Sequence, residues 1–288
     1  MEKMYHYTSV ETLYNIIDTK RLRLTSIHNV NDADEAADKA HLIEEALLNL
    51  IQSDHEKYAA ICNETLETIR QIKTNGYFSP TAILVPYSCS FVENKDSLIH
   101  WSMYGGSGQG VAIGFNEDVL RDYLEKTYPL GRLGSPILTP CFYGDIQDIT
   151  KATIDDYITH PNWSYSGFSL AMSIAFNIVG KYKNGLFVQE NETRLLMNQV
   201  NENIKWQYHQ ISNAPGTDGI KFCMVRGIIR SYYEFDLSPM WISNEHDSII
   251  CELVIGPSSR QNRTELRLFL DSCNLNNVVI TESEIPLR

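Results

Sequence analysis

The stretch "YHYTSVETLYNIIDTKRLRLT", Tyr5 to Thr25, sets the expectations for the fold. Tyr5 to Thr8 reads as a short strand, and Ser9 is a strong helix N-cap. Leu13, Ile16 and Ile17 then recur at helical spacing. A second strand, Leu22 to Thr25, follows almost at once. Strand side chains alternate between faces, so His6 and Thr8 share one face. A lone strand histidine is ordinarily a packed structural residue, so this position needs a partner elsewhere before it can mean chemistry.

The bulk composition narrows what such a partner could be. The chain has 288 residues, 43% hydrophobic and 21% charged, as expected of a globular protein with an ample core. No apolar run reaches the roughly 18 residues of a membrane span. The N-terminal residues lack the apolar core of a signal peptide, so the reading is cytoplasmic, with no membrane partner. Six widely spaced cysteines form no CxxC pair, and eight scattered histidines show no ligand spacing, so neither a redox motif nor a metal site is expected. A net charge of -12 argues against non-specific binding to a nucleic-acid duplex. It leaves room for a small nucleotide in a local pocket.

Periodicity carries the reading onward. Helical texture runs from Ala36 to about Lys73 and is too long for one ordinary helix, with a break near Ser53. His28 to Glu35 reads as a polar turn. Strands are expected over Ala82 to Phe91 and Gly110 to Phe115, and Asn116 caps a helix to Lys126. A strand at Ile137 to Tyr143 precedes helices at Ile146 to Ile158 and Phe168 to Tyr182. Further strands are expected at Leu186 to Val200, Trp206 to Ile211, Ile220 to Ile229 and Ile249 to Ile255. A helix over Thr264 to Cys273 and a strand at Val278 to Ile280 close the chain. No linker or repeat divides it. The expectation is one α+β domain over 1–288, with a helical insertion at about 36–75 and further helices at about 144–184.

The partner for His6 is sought in "FVQENETRLL", Phe187 to Leu196. On a continuous strand Glu190, Glu192 and Arg194 would line one face. Two neighbouring carboxylates repel, and Arg194 would offset them. An exposed charge ladder, or a buried Glu–Arg pair that fixes sheet geometry, is the plain reading, and a carboxylate cleft facing positive charge on a substrate is the functional one. Two other stretches give weaker signals. "YGGSGQG", Tyr104 to Gly110, lacks the Lys-Ser/Thr ending of a phosphate-binding loop and reads as a tight strand connection. "NVNDADE", Asn29 to Glu35, lacks the glycine and final glutamate of a calcium loop.

Together, His6-Tyr7-Thr8, the helix with Leu13, Ile16 and Ile17, Leu22, and Glu190-Asn191-Glu192 resemble the ADP-ribosyltransferase superfamily. The likeness is to its DNA-modifying toxins and RNA 2'-phosphotransferases. The glycine usual before the second strand is replaced by Lys20 or Arg21. The chain also resembles a bacterial domain-of-unknown-function family, through Asn31-Asp32-Ala33-Asp34-Glu35, Trp101 to Gly105, and Glu190 to Arg194. That family often has proline where Ala33 stands here.

The resemblance implies a split antiparallel sheet with helical insertions and NAD as substrate, without a metal. It implies an ADP-ribosyltransferase or NAD hydrolase of bacterial or phage conflict, acting on an unknown protein or nucleic-acid acceptor. An oligomer is compatible with it. It places His6, Tyr7, Thr8, Trp101, Tyr104 and Arg194 around NAD, with Tyr104 stacking on nicotinamide. The catalytic set would be Glu192, Glu190 and His6. Glu192 would stabilise an oxocarbenium-like transition state, and Glu190 would address the acceptor. The alternative is a module of the same fold that binds a nucleotide or protein without catalysis.

Overall fold

The computed structural model describes residues 2–27, 35–74, 84–128, 135–159, 174, 177–200, 219–225, 227–241 and 248–286. Strand β1 is Lys3–Thr8, helix α1 Val10–Thr19 and strand β2 Arg21–Ser26. The opening stretch therefore folds as its pattern predicts. Ser9 Oγ accepts the Thr12 N–H at 3.1 Å, satisfying one of the free donors of the first turn. At the other end Lys20 takes the left-handed conformation, φ 54°, where glycine would be unstrained.

The long helical stretch divides at Asp54 into α2 (Glu35–Ser53) and α3 (His55–Thr74). Strand β3 (Leu84–Val92), helix α4 (Leu98–Met103) and strand β4 (Val111–Asn116) follow. Next come α5 (Glu117–Thr127), β5 (Ile137–Pro140) and α6 (Ile146–Thr159). Asn116 caps α5, accepting from the Val119 N–H. The last third holds β6 (Glu192–Val200), β7 (Lys221–Val225), β8 (Ile228–Asp236), β9 (Ile250–Ile255), α7 (Arg263–Ser272) and β10 (Val279–Glu282).

The ten strands form one mixed α/β architecture with a mostly antiparallel sheet, ordered β10-β9-β4-β1-β3-β2-β8-β7, with β6 on β3 and β5 on β6. The parallel pair is β9 with β10, joined through α7. Helices α1, α5 and α7 cover one face: Leu13, Ile17, Leu120 and Leu270 pack on Met4, Phe91, Phe115 and Leu253. Helices α2, α3 and α6 build their own core around Ile43, Leu47, Leu66 and Ile154. Tyr5, Tyr7, Val92, Trp101 and Val254 form a smaller cluster apart from both.

The branching of β3 positions the site. Strand β6 runs along one edge of β3 from Leu84 to Val92. A strand has only two edges, so β1 and β2 must share the other. Strand β2 meets it at Tyr87 and Ser88, and β1 only at Val92. Between those contacts, at Cys89 to Phe91, neither pairs with β3, and the sheet forks.

Two expectations change, and one helix is added. Leu186 to Val200 is not one strand: Gly185–Glu190 is a 3-10 turn, capped by Asn184, and Asn191 ends it at φ 42°. Asparagine reaches this left-handed region more readily than most residues. Ile220 to Ile229 is a hairpin rather than one strand, because Gly227, at φ 80°, reverses the chain between β7 and β8. Helix α4 stands between two expected strands, in a stretch to which the periodicity assigned no element. His28 to Asp34, Trp206 to Ile211 and most of Phe168 to Tyr182 lie outside the described residues. No helix among the described residues is long and apolar enough to cross a membrane.

Candidate functional site

The fork between β1 and β2 opens into a cleft that encloses about 160 Å³. Strand β1 contributes Tyr5, His6 and Tyr7, and β3 contributes Ser88, Cys89 and Ser90. His100, Tyr104, Glu190 and Glu192 close one wall, and Arg23 and Thr25 of β2 another. Among the residues singled out by sequence, His6, Tyr7, Tyr104, Glu190 and Glu192 thus converge. Thr8, Trp101 and Arg194 do not line the cleft. Thr8 sits at the end of β1 beside Gly110, whose Cβ, if present, would lie 2.1 Å from the Thr8 carbonyl oxygen. The glycine-rich turn is therefore a close backbone contact, as its sequence suggested. Trp101 is fully buried behind Tyr7, edge to ring at 4.7 Å, with its indole N–H on Asp96 Oδ1 at 2.7 Å.

Four buried charges cluster at one wall of the cleft, Glu190 and Glu192 lining it and Lys183 and Arg194 behind them. Lys183 Nζ donates to Glu190 Oε2 at 2.8 Å and to Glu192 Oε2 at 2.6 Å. Arg194 grips Glu192 with two nitrogens, Nε to Oε1 at 2.7 Å and a terminal nitrogen to Oε2 at 3.1 Å. Its remaining amine donates to the Gly180 carbonyl at 3.0 Å. Ser90 Oγ also donates to Glu192 Oε1. Glu190 and Glu192 do not meet through strand alternation, because Glu190 lies in the 3-10 turn. They meet because one lysine ammonium bridges both.

The two carboxylates therefore differ. Glu192 accepts four donors, which fills the acceptor capacity of a carboxylate. Burial works to raise its pKa, but Arg194 and Lys183 outweigh burial and hold it at about 2. Burial likewise opposes the Lys183 charge, and Glu192 and Glu190 overcome it, raising its pKa above the ordinary lysine value. Glu190 Oε2 accepts from Lys183 and from the Tyr104 hydroxyl at 2.9 Å. Its Oε1 carries no hydrogen bond among the described residues, although the residue is buried.

The histidines supply acceptors. His6 Nδ1 must carry its proton, because its partner at 2.9 Å is the Ser90 carbonyl, which can only accept. Burial lowers its pKa, so the ring is neutral at pH 7 and Nε2 offers a lone pair. His100 Nε2 donates in the same way to the Glu190 carbonyl at 3.2 Å. Burial also lowers its pKa, and Nδ1 is left without a partner, as is Ser88 Oγ.

Cys89, which lines the cleft, and Cys141 near Glu192 are held as thiols. Burial, and then the Glu192 charge, raises the Cys89 thiol far above its ordinary value, and burial pushes Cys141 up to about 12. Among the described residues no group of three or more His, Cys, Asp or Glu side chains is placed to hold a metal ion.

Lys183 and His100 escaped the sequence reading, though each left a trace. Two clustered carboxylates with one arginine are a charge short, which calls for a second buried cation. His100 lies four residues before Tyr104, the spacing that puts both on one side of a helical turn. Comparison with family models, curated proteins and solved structures finds no match for this chain.

Proposed function

We propose that the cleft takes the nicotinamide–ribose end of NAD and that the protein cleaves the bond between them, passing ADP-ribose to an acceptor or to water. One observation carries this reading: His6, Tyr104 and Glu190, far apart in sequence, face one cleft with a free imidazole acceptor and a free carboxylate oxygen. The forked sheet supports the same reading, since a split antiparallel sheet is what the resemblance to ADP-ribosyltransferases implies. The volume is also apt. An apolar cavity of about 150 Å³ accepts a benzene-sized ring.

In this reaction the bond between ribose C1' and the pyridinium nitrogen breaks. Its electron pair returns to the ring, and neutral nicotinamide leaves. The oxocarbenium-like centre at C1' is trapped by an acceptor or water oxygen, whose proton passes to Glu190 Oε1. The open oxygen of Glu190 is the acceptor in reach of a ribose hydroxyl or nucleophile, and His6 Nε2 accepts from a second hydroxyl. Glu192, saturated by Arg194, Lys183 and Ser90, holds Lys183 and through it Glu190. The catalytic weight is thus placed on Glu190 rather than Glu192. Tyr104 walls the ring site and fixes Glu190 through its hydroxyl.

That saturation favours a second reading, a module that binds the nucleotide without cleaving it. Incubation with NAD labelled on its adenylate, with and without protein and nucleic-acid acceptors, separates the two. Release of nicotinamide that depends on Glu190 is the expected result. Tight NAD binding without nicotinamide release would leave the binding module.

A further inference from the structure

We infer that Arg23 is the phosphate anchor of this cleft, so that its ligand is a phosphorylated nucleotide rather than a free nucleoside or base. The inference rests on the reading of the cleft as a nicotinamide–ribose site. A volume of about 160 Å³ is smaller than the roughly 300–1,000 Å³ of sites that enclose a drug-sized ligand. A ring with part of its sugar fills it, and the 5' substituent must run out over the rim.

Arg23 stands on that rim. It is the one lysine or arginine among the residues lining the cleft, and its side chain is 49% exposed. The two cations behind the cleft are committed to Glu190 and Glu192. Glu234, opposite Arg23 on β8, is hydrogen-bonded by Lys221 at 2.7 Å and forms only a longer ion pair with Arg23, whose Nε lies 3.7 Å away. That pair is too long for a hydrogen bond, and the Arg23 side chain makes none among the described residues. Its guanidinium is nonetheless oriented, because it lies 4.6 Å from the centre of the Tyr232 ring. A planar fork with donors not engaged in hydrogen bonds beside a small cleft suits a phosphate, which it can grip with two nitrogens.

The test compares nicotinamide riboside with nicotinamide mononucleotide, which differ by one phosphate, in calorimetric titrations of the wild-type protein, Arg23→Gln and Arg23→Lys. Wild type should bind the mononucleotide about tenfold or more tighter than the riboside, the scale of one charge-assisted contact. Arg23→Gln should bind both within about twofold of each other, with riboside affinity unchanged, and Arg23→Lys should restore part of the preference. Unchanged melting temperatures would confirm that the variants fold.

No phosphate preference in wild type, an intact preference in Arg23→Gln, equal loss of both ligands, or binding of neither would overturn the inference. Nicotinamide release from NAD, followed on the same preparation, is scored separately. Release without phosphate preference removes the anchor and keeps the cleavage reading. Preference without release keeps the anchor and removes cleavage.

Discussion

Two buried glutamates on different strands, Glu192 and Glu252, meet the same electrostatic problem with different surroundings. Each is held at a pKa of about 2 against burial by nearby cations and hydrogen bonds. Glu252 of β9 accepts from Lys3 at 2.8 Å, Lys95 at 3.1 Å and the Tyr5 hydroxyl at 2.8 Å. Its lysines are 35% and 50% exposed, so water shares the solvation of the cluster. At Glu192, Lys183 and Arg194 are each 5% exposed, and a second carboxylate hangs on the same lysine. The first arrangement ties β1 to β9 and leaves nothing over. The second leaves one oxygen, Glu190 Oε1, unpaired beside a cleft. A buried ion cluster thus suggests chemistry when its internal pairing is incomplete at a cavity, and depressed pKa values alone do not separate the two cases.

The largest effect is expected from Lys183→Met. It strips the shared cation from two buried carboxylates and should cost about 3–5 kcal/mol, as when one partner of a buried pair is lost. Lys95→Met at the other cluster removes a half-exposed partner and should cost about 0–1 kcal/mol. Urea denaturation of both variants measures the contrast, and equal losses would erase the distinction drawn between the clusters.

Next in size is the split in activity. On the proposed reading of the cleft, Glu190→Gln should lower NAD turnover by about 10²-fold or more, the loss typical of a removed acid–base group. Glu252→Gln should lower stability and leave turnover per folded molecule intact. Initial rates of nicotinamide release, normalised to folded protein, decide this. An active Glu190→Gln enzyme would end the catalytic assignment.

Acid should weaken both clusters. The folded pKa values of Glu192 and Glu252 lie below their ordinary 4.5. Their stabilisation is therefore complete above about pH 4.5 and is lost as pH falls toward about 2. The urea midpoint should fall across that window, and less steeply in Glu252→Gln. A midpoint flat from pH 5 to pH 2.5 would contradict the pairing described for both.

The smallest effect concerns Ser88→Ala. A buried serine normally loses stability with its hydroxyl, but Ser88 Oγ has no partner. The variant should therefore match wild type within about 0.5 kcal/mol, or exceed it, because removing an unsatisfied polar group relieves its desolvation penalty. A clear drop in melting temperature would mean that the hydroxyl is satisfied after all.

Much of the fold was legible because local rules governed it. Ser9 and Asn116 mark helix starts because their short side chains satisfy backbone N–H groups within three residues. Leu13, Ile16 and Ile17 are buried as their spacing predicts, and the long helical stretch breaks beside Ser53 as its length required. The register and number of the late strands were less legible. A single left-handed residue, Asn191 or Gly227, redirects the chain without disturbing the apolar pattern on either side. Helix α4, six residues long, is too short for periodicity to declare itself.

The sequence by itself determined the candidate chemistry: a histidine on the first strand, an aromatic after Trp101, and paired glutamates before an arginine. It could not determine which carboxylate would be left open. That was decided where β6 takes one edge of β3 and β1 and β2 diverge along the other, bringing His6 to the Ser90 carbonyl and Glu190 and Glu192 to one lysine. The physical reason is that hydrogen-bond saturation belongs to an assembled site: Glu192 is filled and Glu190 is not only because Arg194, Lys183 and Ser90 arrive from different elements and meet there.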